Sequence, residues 1–181
     1  MAKNNIFLET QKELLVADYL RFDNTGRGNL GEELPIVVYR LMEYSLREEL
    51  RKRYGKDMQI EIFRSAGYRA GTYFVENKLD QNLPFPQFIA QLQNSLEELK
   101  IGILRIESLD EATGKIILTV SEDADCSGLP LLGETVCNYD EGFISGILSA
   151  YTGKEYEAME VDCWATGDRV CRFCAEIQEK E

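Results

Sequence analysis

Apolar residues recur at helical spacing through Leu34, Val38, Leu41, Met42, Leu46 and Leu50, preceded by Glu32, Glu33 and Pro35 and followed by Gly55. A proline at the start and a glycine past the end match the two termini of a helix, so this pattern predicts the first one. From Asp57 to Leu79, Ile60, Phe63, Phe74 and Val75 are interleaved with Ala66, Gly67, Ala70 and Gly71. The small residues fall into two pairs at four-residue spacing, each on one helix face, where a second element can approach closely. The alternative is a loop that splits the helix at Gly67, because an interior glycine costs up to about 1 kcal/mol relative to alanine. Pro84 and Pro86 open a third helical pattern carrying Phe88, Ile89, Leu92, Leu96 and Leu99 and ending near Lys100. A fourth runs from about Tyr139 to Tyr151 with Phe143, Ile144, Ile147 and Leu148, and Gly142 and Gly146 again lie four apart.

Elsewhere the period changes to two. Ile101–Ser108 and Lys115–Ser121, joined by Asp110-Glu111-Ala112-Thr113-Gly114, read as one hairpin; Tyr156–Trp164 and Arg169–Ile177, around Thr166-Gly167-Asp168, read as a second. Residues 122–136 read as a loop holding Cys126, Gly128 and Pro130. Residues 1–30 lack sustained periodicity and end in Asn24-Thr25-Gly26-Arg27-Gly28-Asn29. Their apolar members, Phe7, Leu8, Leu14, Leu15, Val16, Tyr19 and Leu20, have no obvious place in one compact core. The expectation is an N-terminal arm over 1–30 that contributes a dimer contact, and one α+β domain over 31–181. That domain packs about four helices on one face of a small antiparallel sheet made of two hairpins.

Composition narrows the function. A chain of 181 residues with 44% hydrophobic content suits one domain with a sizeable core. Twenty basic residues against 32 acidic ones give a net charge of −12, and no Lys/Arg stripe is interleaved with aromatics, so nucleic acid is an unsuitable partner. Histidine is absent, which excludes imidazole-based triads, histidine acid–base chemistry and imidazole-ligated zinc. No apolar run approaches a membrane span, and the polar opening Met1-Ala2-Lys3-Asn4-Asn5 does not lead into a secretory segment. A cytoplasmic location is expected, where clustered thiols stay reduced.

All five cysteines follow residue 125. Cys163 and Cys171 are equidistant from Gly167, so in a symmetric hairpin they face each other, with Met159, Val161, Phe173 and Ala175 on the same apolar face. Cys137 precedes the fourth helix, whose free N–H groups favour a thiolate, and is the natural third ligand of a metal. The fourth ligand stays open: Glu160 and Cys174 fall on the opposite face of an ideal ladder, a β-bulge near Asp162 brings Glu160 round, and Cys126 reaches in from the loop. Thiolates select zinc over calcium or magnesium, and four protein ligands make it structural; ordinary buried thiols are the alternative. Tyr68, Tyr73, Phe74, Phe88 and Trp164, with Gly71, are candidate walls of a ligand pocket, against the alternative of plain core. Glu122, Asp123 and Asp125 read as solvated loop charges.

Cys137-Asn138-Tyr139-Asp140-Glu141-Gly142-Phe143-Ile144-Ser145-Gly146, then Glu160-Val161-Asp162-Cys163-Trp164-Ala165-Thr166-Gly167-Asp168 and Cys171-Arg172-Phe173, resemble the C-terminal signature of the 4-vinyl reductase domain family. Ala66-Gly67-Tyr68-Arg69-Ala70-Gly71 resembles its Gly-rich helix segment, and the likeness covers roughly residues 30–177. The family is described as small-molecule or hydrocarbon-binding domains. In the phenol-responsive activators that carry one, zinc is held by three Cys and one Glu, which implies Cys137, Glu160, Cys163 and Cys171 here. The resemblance also implies a fold shared with subunits of the TRAPP vesicle-tethering complex, a homodimer, and an apolar pocket between helices and sheet. This chain lacks the histidine that holds the phenol hydroxyl, and no ATPase or DNA-binding module accompanies the domain. No Rossmann-type glycine loop is present to supply a hydride for vinyl reduction.

The expected function is therefore a non-enzymatic, zinc-stabilised domain. It binds a small apolar or aromatic molecule, a tetrapyrrole or its precursor among them, and signals or delivers it to a partner protein. The pocket is expected between the Gly67/Gly71 helix, the third helix and the sheet. The alternatives are an assembly subunit without a small ligand and an accessory factor in vinyl tetrapyrrole reduction.

Overall fold

The computed structural model describes residues 14–22, 27, 29–31 and 33–178, so Phe7, Leu8, Glu32 and most of the loop before Asn29 lie outside the described residues. A single left-handed residue, Gly55 at φ +85°, turns α2 (Ile36–Tyr54) directly into α3 (Lys56–Lys78), a conformation that favours glycine. α3 runs unbroken through Gly67, which answers the loop alternative, and its small residues have a use. Gly67 and Gly71 face Gly142 and Gly146 of α5 (Asn138–Thr152). A Cβ on Gly71 would lie 2.1 Å from the Phe143 carbonyl oxygen, and one on Gly146 2.1 Å from that of Tyr68. The two helix backbones touch, and no side chain fits between them.

α4 (Phe85–Glu98) starts behind Pro84 and buries Phe88, Ile89, Leu92 and Leu96. The strands β1 (Ile103–Leu109), β2 (Ile116–Ser121), β3 (Tyr156–Asp162) and β4 (Cys171–Ile177) form one antiparallel sheet in the order β1-β2-β4-β3. The two expected hairpins thus join along β2 and β4, where Leu118 pairs with Phe173 and Val120 with Cys171. α5 covers this face with Ile144, Ile147 and Leu148, completing an α+β fold of five helices and four strands among the described residues. The additional helix is the short α1 (Val16–Tyr19). The segment behind it packs on α3: the Tyr73 hydroxyl donates to the Leu20 carbonyl at 2.5 Å, and Phe22 stacks on Tyr73. No helix among the described residues is long and apolar enough to cross a membrane.

Two expectations about which face is inside are corrected. In β3, Met159 and Val161 are 41% and 54% exposed, while Tyr156, Ala158 and Glu160 point into the core. The register shifts between Glu160 and Asp162, and the extra residue inverts the alternation before Cys163. In α2, the apolar stripe faces outward, with Leu41 71% exposed, and the buried residues are Glu43 and Arg47. The cause is the neighbour: the inner face of α2 lies on the polar loop after β2, to which Arg40 and Tyr44 donate hydrogen bonds.

The helix crossing makes an inverted prediction. Replacing an interior helical glycine by alanine ordinarily stabilises by up to about 1 kcal/mol; Gly71→Ala is expected instead to lose about 1–3 kcal/mol through overpacking. Urea unfolding measures this, and a gain in stability would mean that the helices do not cross at Gly71.

Candidate metal centre and adjoining cavity

Four distant segments each deliver one sulfur to a buried cluster. Cys126 comes from the loop after β2, Cys137 from the N-cap of α5, Cys163 from just past the β3 bulge and Cys171 from the start of β4. Their Sγ atoms all lie within 4.8 Å of one another and the residues are fully buried. Cys126 and Cys171 approach to 3.0 Å, Cys137 and Cys171 to 3.6 Å, and Cys137 and Cys163 to 3.9 Å. All are free thiols. Cys163 and Cys171 are not opposed on the ladder as a symmetric hairpin requires, because Cys163 has already left the strand; Asp162 pairs with Arg172 instead. Cys174 stands apart on the other face, its sulfur 3.7 Å from Glu176.

The turn after Cys163 fixes that residue's backbone. Its carbonyl accepts from the N–H groups of Thr166 and Asp168, both at 3.1 Å, and from the Thr166 hydroxyl at 2.7 Å, while Gly167 takes φ +111°. The Cys126 loop is tied to the same turn: Leu132 N–H donates to the Ala165 carbonyl at 2.8 Å and the Trp164 indole to that of Leu129 at 3.1 Å. Within the cluster, the thiols of Cys126, Cys137 and Cys171 donate toward Cys163 and draw its pKa down, whereas Cys137 and Cys171 are pushed up, each first by Cys126. Glu160 lies beside the sulfurs. Its Oε2 accepts the Cys137 N–H at 3.1 Å, its Oε1 has no hydrogen-bond partner, and burial followed by Cys163 pushes it up to about 8.

A buried polar seam runs from α2 to α5. The Arg47 guanidinium donates to Glu43 Oε1 at 3.2 Å, Asn138 Oδ1 at 2.9 Å and the Val136 carbonyl at 2.5 Å, and sits 4.5 Å above the Phe63 ring. Glu141 accepts from Arg64 at 2.6 Å and from the Glu160 N–H at 2.9 Å, linking α3, α5 and β3. Next to this seam, Asp123, Asp125 and Asp140 converge. Asp125 Oδ1 accepts the Tyr39 hydroxyl at 2.6 Å and Asp123 Oδ1 accepts the Asp125 N–H at 2.7 Å. Burial, then Asp125, pushes Asp123 up to about 7; burial, then Asp123, raises Asp140. All three line a cavity of about 1130 Å³ whose other walls include Phe22, Tyr73, Phe74, Phe143 and Trp164.

Residues 116–177, covering β2, the sulfur cluster and α5 through β4, match the family model of the 4-vinyl reductase domain. The chain carries a 4-vinyl reductase domain. Over 144 residues it is 29% identical to the uncharacterized protein MJ1642 of Methanocaldococcus jannaschii, spanning 80% of this chain and 78% of that relative. The phenol-responsive sensory domain of the transcription activator PoxR, solved with phenol, is similar in fold at a TM-score of 0.62 and 16% identity, over 80% of this chain and 75% of that one. A trafficking protein particle complex subunit 3 from Naegleria fowleri, covalently bound to palmitic acid, gives a TM-score of 0.63 at 13% identity, over 80% and 95% of the two chains.

Within this 4-vinyl reductase domain, Cys137, Cys163 and Cys171 come together as three members of the expected ligand set; Cys126 supplies the fourth sulfur of the group and Glu160 sits next to it. Of the expected pocket residues, Tyr73, Phe74 and Trp164 line the large cavity. Tyr68 lines a separate groove of about 720 Å³ between α3, α5 and β3. Gly71 is consumed by the helix crossing, and Phe88 is core, stacked on Tyr151 at 3.9 Å between ring centres. The cavity accordingly lies toward α2 and the Cys126 loop, not between the glycine helix, α4 and the sheet. Asp123 and Asp125 are corrected from solvated loop charges to buried ones, 3% and 2% exposed. Glu43, Arg47 and Asp140 were not singled out by the sequence pattern; the available signal was Tyr39, Glu43 and Arg47 at four-residue spacing, a polar stripe opposite an apolar one.

Glu43 makes the electrostatics testable. Burial, then the Asp125 charge, pushes its pKa from 4.5 up to about 8 against the opposing pull of Arg47. The folded chain holds a proton there that the unfolded chain releases, so wild-type stability falls as pH rises from 4.5 through about 8. Glu43→Gln cannot lose that proton. Its stability relative to wild type should climb across this window in urea titrations and then level off; a difference that does not change with pH would contradict the burial of this charge.

Proposed function

We propose that this chain is a non-enzymatic ligand-binding protein in which zinc, held by Cys126, Cys137, Cys163 and Cys171, locks the loop after β2 onto the sheet. The observation that carries the reading is the meeting of four buried sulfurs beside a large, mostly apolar cavity. The cluster fits zinc: two of its sulfur separations, 3.6 and 3.9 Å, bracket the edge of about 3.8 Å of a tetrahedron with Zn–S bonds near 2.3 Å. Four thiolates leave no open coordination position, so the metal would serve to crosslink four segments. In this reading Glu160 supports the centre by accepting the Cys137 N–H, the role of a residue that orients a metal ligand.

The ligand is a small, predominantly apolar molecule. The cavity volume sits at the upper end of the range of about 300–1,000 Å³ typical of small-molecule sites, so a tetrapyrrole or its precursor falls within the class. Phenol in PoxR and palmitic acid in the Naegleria subunit, both largely apolar, support the same reading for a shared fold. With the chain in the cytoplasm, thiols stay reduced and binding is signalled to a partner protein through the Cys126 loop, which contributes to both centre and cavity. Expected first is a difference among cysteines: Cys126→Ser should lower the melting temperature as much as Cys163→Ser, because each removes one arm of a site that supplies folding free energy. Cys174→Ser should leave the melt unchanged, and a mild Cys126→Ser would return the fourth ligand position to Glu160.

The outward apolar face of α2, with Leu34, Val37 and Leu41 exposed, favours a homodimer in which this face meets a second copy, with Leu14, Leu15 and Tyr19 of the arm alongside. Light scattering at micromolar concentration should give twice the chain mass for wild type and the chain mass for Leu41→Glu. A wild-type monomer would overturn the dimer.

A further inference from the structure

We propose that the ligand of the large cavity carries a basic nitrogen on its apolar body, and that Asp123, Asp125 and Asp140 are its counter-charge. This rests on the cavity reading above and adds the chemical class of its occupant. Asp123 and Asp125 come from the loop after β2 and Asp140 from the first turn of α5. All three line the cavity, and the Oδ2 atom of each is shielded from solvent with no hydrogen-bond partner. Three acceptors left open at one end of an apolar cavity call for a group that brings several donors at once.

The protein's own cations are committed elsewhere. Arg40 spends its guanidinium on the carbonyls of Ala124 at 2.7 Å, Ser127 at 2.8 Å and Asp123 at 3.3 Å. Arg47 is held by Glu43, Asn138 and Val136, and Lys100 pairs with Glu33 at 2.7 Å. Arg169 lies exposed at the cavity edge. Among the described residues no Lys or Arg forms an ion pair with any of the three aspartates. A primary ammonium offers three donors and an amidinium a planar set, and either satisfies adjacent carboxylates with charge-assisted bonds. The rings of Tyr39, Tyr139 and Trp164 also line the cavity and suit a cation. A neutral hydroxyl brings one donor, and a carboxylate is repelled. A hard metal ion is a poorer occupant, because it requires six or more oxygens and here Asp123 and Asp140 gather only with Cys137.

The test is calorimetry on the full zinc-bound chain at physiological salt with three probes of matched shape: phenethylamine, phenethyl alcohol and hydrocinnamate. The amine should bind at least about tenfold more tightly than the alcohol, the difference a charge-assisted hydrogen bond supplies, and the acid should not bind. Asp123→Asn and Asp125→Asn, each checked for unchanged zinc content and melting, should bring the amine to the affinity of the alcohol and leave the alcohol unaffected. Should one variant fail to fold, the other and Asp140→Asn carry the comparison. An amine no better than the alcohol, or an amine preference that survives the aspartate variants, overturns the proposal while the cavity reading stands. If none of the three probes binds, the cavity reading itself falls and takes this inference with it.

Discussion

The meeting of four cysteine sulfurs is the constraint on which the functional half of the molecule depends. The loop between β2 and α5 has little regular structure, and its position comes from Cys126 in the cluster and from hydrogen bonds to the turn after β3. That loop presents Asp123 and Asp125 to the cavity and receives Arg40 and Tyr44 from α2. An unstructured stretch of this length would otherwise hold its order at a large entropic cost. Linking it to α5, β3 and β4 through one cluster means that the centre and the cavity are shaped together.

A second constraint acts on the scaffold. The glycines of α3 and α5 bring two helix backbones into contact, and that contact sets where Cys137 and Asp140 stand relative to the sheet and α2. Close approach leaves no room for a ligand between these helices, so the cavity opens on the side of α5 that faces α2. There the usual order of an amphipathic helix is reversed. Glu43 and Arg47 are enclosed with the carboxylates of the loop, and the apolar stripe of α2 is turned outward. A buried arginine and carboxylate pair contributes little net stability over an apolar pair, but breaking it is costly, which suits a seam that fixes geometry.

Much of this was legible in the sequence. The helices and both hairpins follow from period and punctuation: Pro35 and Gly55 bracket α2, Pro84 opens α4, and Gly167 closes the turn next to Cys163. The glycine pairs announced a close approach, although the partner proved to be the other glycine helix and not a ligand. What the sequence could not convey was sidedness. One additional residue at Val161 inverts the faces of β3, bringing Glu160 inward and Met159 outward, and no local pattern marks a bulge that arises from pairing. Likewise, the stripe on α2 reads as core because most amphipathic helices bury their apolar face. Asp123 and Asp125 look like loop charges until the loop is folded inward. Cys126 and Glu160 remained alternatives for the same reason: their distance from the other sulfurs is set by the fold.

The identity of the centre decides how loop, sheet and cavity are held together, and X-ray absorption at the zinc edge addresses it most directly, on protein purified without added metal. About one zinc per chain, surrounded by four sulfur neighbours near 2.3 Å and no lighter atom, is the predicted result. A chain free of zinc, or zinc with an oxygen in its first coordination sphere, would contradict it.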